Sequence, residues 1–161
     1  MSAVQQLETS SSDSEETVST KQRQRERLQG SPYSLRTVLA VAMVRLRKEI
    51  WLQRKMIDYD ERGRETHYDL TGMMCRCFLD LNSRAGTRRI EDRLLYDEDG
   101  DLLNMISVFN DVYEEVHGPI RNSKGRPVEA HSPIVRMTWI NDAQTYEVLM
   151  DKLEKVVEYL K

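Results

Sequence analysis

Two cysteines in 161 residues, Cys75 and Cys77, are too few to staple a fold. Read as neighbours at i and i+2 on a strand, they point the same way without the usual disulfide geometry. A reducing intracellular compartment, cytoplasm or nucleus, is therefore expected. No N-terminal apolar segment resembles a secretory signal, and no run reaches the roughly 18 apolar residues that span a bilayer. The expectation is a soluble chain, at most peripheral to a membrane. Aromatic residues make up 7% of the sequence, little for a protein that cradles a planar cofactor.

The motifs of catalysis are missing as well. There is no phosphate-binding Walker loop, no dinucleotide glycine fingerprint and no nucleophile elbow. Asp97-Glu98-Asp99-Gly100-Asp101 invites a calcium-loop reading, but positions 6 and 12 counted from Asp97 hold Leu102 and Val108 instead of Gly and Glu. Cys75-Arg76-Cys77 is not a CxxC pair, and His67, His117 and His131 share no short ligand spacing. Glu114 and Glu115 are adjacent and read as a solvated helix rim. The sequence thus predicts no metal, no cofactor, no small-molecule substrate and no enzyme.

What the chain does have is charge, unevenly distributed. Residues 31–96 carry 13 bases and 9 acids, a net of +4, whereas residues 97–161 carry 7 bases and 13 acids, a net of −6. Such a split favours head-to-tail self-association, or an anionic partner on one face. Eight methionines suggest a pliable core or contact surface.

Residues 1–30 read as a disordered leader, and residues 31–161 as one domain. The leader holds a Ser/acid cluster in which Ser10 and Ser12 have an acid three residues on, the spacing an acidophilic kinase uses. A basic run, Lys21–Arg27, follows. The stretch Ser34–Met56 predicts one long amphipathic helix capped by Ser34, although Val38–Leu46 taken alone also reads as a buried strand. After a charged loop at Asp58–Glu65, residues 73–81 alternate as a strand, and Arg88–Tyr96 reads as a second strand or a short helix. Together they would make an antiparallel hairpin over 73–96. A helix is expected from Leu102 to about Val116, ended by Gly118 and Pro119. Ile134–Ile140 alternates as another strand. A last helix, with Tyr146, Leu149, Leu153, Val156, Val157 and Leu160 on its apolar face, should dock on the sheet.

The cations Arg45, Arg47, Lys48, Arg54 and Lys55 of the first helix, with Arg84, Arg88 and Arg89 near the hairpin turn, make the candidate surface for an anionic partner. Trp51 among them reads either as a base-stacking platform or as core. Anionic lipid headgroups would be drawn to the same residues.

The segment Arg136-Met137-Thr138-Trp139-Ile140-Asn141-Asp142-Ala143 resembles the strand-to-acidic-turn segment of rhabdovirus matrix proteins, and the order of tail, α+β core and short polar loops is similar too. The chain lacks that family's PPxY motif and Lys-rich leader, so no budding role is carried over. The resemblance implies a non-enzymatic protein bridging a nucleocapsid, itself and a membrane.

The expectation is therefore an α+β fold, about three helices on a small antiparallel sheet. It would serve an assembly protein that self-associates and binds a nucleocapsid or an anionic membrane. The alternative is a small nucleic-acid-binding regulator using the basic helix and hairpin turn.

Overall fold

The computed structural model describes residue 28 and residues 31–84, 88–96, 100–128 and 131–161. Ser10, Ser12 and the basic run lie outside the described residues, as does most of the acidic 97–101 segment. Within the described residues the fold is α+β: six α-helices and one two-stranded antiparallel sheet. The class and the small antiparallel sheet are those expected, but several elements are built from other residues.

Helix α1 spans Leu35–Arg45, half the length its apolar pattern predicts. Ser34 caps it as expected, its hydroxyl accepting from the Thr37 N–H at 3.1 Å. Leu35, Val38, Leu39 and Ala42 are buried. The chain leaves the helix at Leu46 because partners distant in sequence take over its polar groups. The Leu46 carbonyl accepts from the Tyr146 hydroxyl at 2.7 Å, and after a 3-10 turn at Lys48–Ile50 the Leu52 N–H reaches the Tyr68 carbonyl at 2.9 Å. Tertiary partners of this kind override local helix propensity.

The sheet forms where a solvated loop was expected. Strand β1, Ile57–Tyr59, pairs with β2, Glu65–Tyr68, with Ile57 opposite Tyr68 and an irregularity after Asp58. Asp60 closes the turn: its Oδ1 accepts from the N–H groups of Arg62 and Arg64, both at 2.9 Å. Gly63 takes the left-handed conformation at φ +77° that the turn demands.

The stretch predicted as the strand 73–81 is instead helix α2, Leu70–Leu81. It is the hub of the fold, touching α1, the later helices α3, α4 and α5, and β2. Nine of its twelve residues are buried, so almost no polar positions mark a helical period, and the remaining few happen to alternate. Asp69 caps it, accepting from the Gly72 N–H at 2.8 Å. Arg88–Tyr96 resolves as a short helix, α3, Ile90–Leu95, so no hairpin forms over 73–96.

Helix α4, Gly100–His117, is the one expected from Leu102, and Gly118 ends it at φ +86°. The third predicted strand is helix α5, Pro133–Asp142, begun by Ser132 as N-cap and proline in its first turn. The segment carrying the matrix-protein resemblance thus lies at the end of a helix. Helix α6, Tyr146–Tyr159, buries Leu149, Leu153 and Val156 as expected. It packs on α1 and α4, not on the sheet, because two strands of three and four residues offer no face wide enough to cover it. The core is one continuous cluster that also takes in Leu28, 2% exposed.

Candidate anion-binding site

The eight cations singled out from the sequence do not share one surface. Arg45 donates from Nη1 to Asp80 at 3.0 Å. Lys48 pairs with Glu147 at the start of α6, Lys55 with Asp58 of β1, and Arg84 with Asp101 of α4 at 3.1 Å. Arg54 sits at φ +65°, held there by its own N–H, which donates to both Asp142 carboxylate oxygens at 3.1 Å. Arg47 is exposed. The uniform basic face expected along one helix therefore does not form; four of its members have carboxylate partners. Trp51 is committed to the fold as well. Its Nε1 donates to Asn141 at 2.7 Å and its ring makes an edge contact with Tyr146, so both its polar tip and its ring hold α5 and α6 in place.

Arg88 and Arg89 are placed differently. They leave the α2–α3 connection and face the hairpin, where with Tyr59, Gly63, Arg64, Glu65, Tyr68 and Arg76 they line an open concavity of about 390 Å³. The Arg89 guanidinium lies over the Tyr59 ring, 4.2 Å from its centroid. The Tyr59 hydroxyl in turn donates to Glu91 of α3, joining hairpin and helix. Burial and that contact raise the Tyr59 phenol well above its ordinary range, so it stays neutral.

Beneath lies an ion pair. Glu65 accepts from Arg76 Nε at 2.8 Å and from the Tyr68 hydroxyl at 2.9 Å, and a second Arg76 nitrogen completes a bidentate contact. The hydrogen bond to Glu65 is the main cause that raises the Arg76 guanidinium further above its usual value, against burial. Asp80 approaches the same guanidinium at 3.6 Å. At the rim, Arg64 is held by Asp60 at 2.9 Å. The Arg64 N–H donating to Asp60 is the largest cause that lowers this carboxyl. Each carboxylate bordering the concavity is thus engaged by an arginine, a tyrosine or backbone N–H groups.

Sequence reading found Arg88 and Arg89 and missed Arg64 and Arg76. The signal was present as Asp60-x-x-Gly63 between Ile57-Asp58-Tyr59 and Glu65-Thr66-His67-Tyr68, a turn flanked by two short β-prone runs.

The remaining groups considered from the sequence lie elsewhere. Cys75 and Cys77 are buried on α2 and form no disulfide; i and i+2 diverge around the helix and do not share one face. Burial pushes the Cys77 thiol up to about 11, despite Arg45 Nη1 at 3.7 Å. Glu114, expected on a solvated rim, pairs with Arg136 of α5. Among the described residues no group of three or more His, Cys, Asp or Glu side chains is placed to hold a metal ion, and no helix is long and apolar enough to cross a membrane. No known family model matches the chain, and no curated protein or solved structure matches it either.

Proposed function

We propose that this protein is a non-enzymatic assembly protein that binds a polyanionic partner through the arginine-lined concavity and associates with itself. The observation that carries the reading is the meeting of Arg64, Arg88 and Arg89 above Arg76 on one open surface. Clustered guanidinium groups match closely spaced phosphates, whether on a nucleocapsid or nucleic acid or on an anionic bilayer. The engaged state of the neighbouring carboxylates supports binding over acid–base work. Exposed apolar side chains support self-association: Val44, Leu95 and Tyr96 are 78%, 74% and 67% exposed.

Cosedimentation with phosphatidylserine vesicles and a gel-shift titration with single-stranded RNA test the reading and separate its two partner classes. Reversing Arg64, Arg88 and Arg89 to Glu is expected to abolish whichever binding the native chain shows, and reversing Lys48 is expected to leave it nearly unchanged. RNA binding with no vesicle binding would favour the small nucleic-acid-binding regulator. Absence of both, with sedimentation equilibrium showing a strict monomer at low salt, would end the proposal.

A further inference from the structure

A second cavity, sharing no lining residue with the first, opens where the end of α4 meets α5 and α6. It measures about 320 Å³, within the range that holds small ligands. Its lining residues include Tyr113, His117 and Trp139 and the polar residues Arg121, Asn122 and Lys152. None of its lining residues is an aspartate or a glutamate, although the C-terminal third that builds it carries 13 acids against 7 bases. An accidental surface notch in so acidic a region would be expected to show carboxylates.

The polar groups of this cavity are donors in excess. The Tyr113 hydroxyl accepts from Gln144 Nε2 at 3.3 Å, and no acceptor among the described residues takes its own proton. Asn122 spends its carbonyl oxygen on the N–H groups of Lys124 and Arg126, which leaves its NH₂ facing out. Arg121 gives one N–H to the Gly125 carbonyl at 2.9 Å and keeps the rest. Neither the Lys152 ammonium nor the Trp139 indole N–H has a partner among the described residues. His117 is fixed as part of the wall, its Nε2 bonded to the Lys152 carbonyl at 2.8 Å and its ring 4.8 Å from that of Tyr113. Unmet donors, two cations and flat aromatic walls together specify a ligand: negative at one end, planar at the other.

We infer that this cavity binds a small planar organic anion, a carboxylate or a phosphate monoester carried on a ring. The anionic group meets Lys152, Arg121 and the Tyr113 proton, and the ring lies against Trp139. The site is independent of the hairpin concavity.

Nitrogen–proton NMR titration tests it, with benzoate and adenosine 5′-monophosphate as probes and benzamide, adenosine and inorganic phosphate as controls. One of the two probes is expected to shift the Trp139 indole N–H saturably. The controls are expected to bind at least about tenfold more weakly. The double variant Lys152→Gln, Arg121→Gln should lose the response while the Trp51 indole signal, whose N–H is bonded to Asn141 and reports intact folding, stays in place. Reversal of Arg64, Arg88 and Arg89 should leave the response unaltered. No saturable shift with either probe, equal binding of the neutral or inorganic controls, or full binding by the double variant with its fold intact would each overturn the inference.

Discussion

Asn141 holds together three stretches that the sequence keeps far apart. Its Oδ1 accepts from Trp51 Nε1 at 2.7 Å and from the Leu70 N–H at 3.0 Å, and its Nδ2 donates to the Leu52 carbonyl and to Asp142, both at 2.8 Å. All four bonds are made by a side chain with no solvent exposure. Replacing it with leucine removes the partner of two donors and two acceptors, so Asn141→Leu should cost about 3 kcal/mol in urea unfolding. Nothing in the sequence sets this asparagine apart, because its value lies in partners some 70 to 90 positions away. Asp69 is the second buried residue with a readable consequence. Burial, reinforced by Asp142 and opposed by the Gly72 N–H, pushes its carboxyl up to about 8. Its unfolded value is about 3.9, so the native chain holds the proton more tightly. Its contribution to stability is fully present below about pH 4 and is lost as pH rises to about 8. The urea midpoint should therefore fall across that window, and Asp69→Asn should flatten the decline while keeping the cap. A native profile without that decline would contradict the assignment.

Helix α2 and the β1–β2 hairpin depend on each other. A two-stranded hairpin is marginal by itself and needs a surface to lie on. Gly72 supplies it: a Cβ there would stand 2.6 Å from the Met56 carbonyl oxygen and 2.8 Å from Ile57. Both obstacles belong to the strand and its approach, so Gly72→Ala should displace the hairpin, with a loss of about 2 kcal/mol. The same substitution should weaken anion binding at the concavity, which an unaffected affinity would contradict. The amphipathic ends of the chain were legible in sequence. Helix α6 and most of α4 carry clean 3.6-residue stripes, and Ser34 and Gly118 cap and end their helices as their residue types dictate. The centre was not. Helix α2 is buried nearly all round, and α5 shows three exposed or half-exposed apolar residues, Ile134, Val135 and Trp139, so neither displays one wet face and one dry one. The hairpin was obscured in the opposite way, its polar residues looking solvated when many are half-buried.

At the scale of the whole molecule, the charge division read from sequence is partly consumed inside the fold. Lys48 answers Glu147, Arg84 answers Asp101 and the Arg54 backbone answers Asp142. The basic middle of the chain docks on its acidic third, and such exposed pairs contribute little to stability individually. The surface offered to an outside partner is local: the one concavity that Arg64, Arg88 and Arg89 line together. Half of the candidate site was thus legible as charge. Its shape was not, because it depends on a turn and a helix start that only tertiary packing brings face to face. The most direct test is the salt dependence of binding to single-stranded RNA or to anionic vesicles, comparing the native chain with the variant in which these three arginines are glutamine. The logarithm of the native affinity should fall with the logarithm of salt concentration along a slope of about −2, given roughly −0.7 per phosphate on single strands, and the variant should bind weakly with almost no slope. Equal slopes for the two proteins would contradict the assignment of this surface as the partner's site.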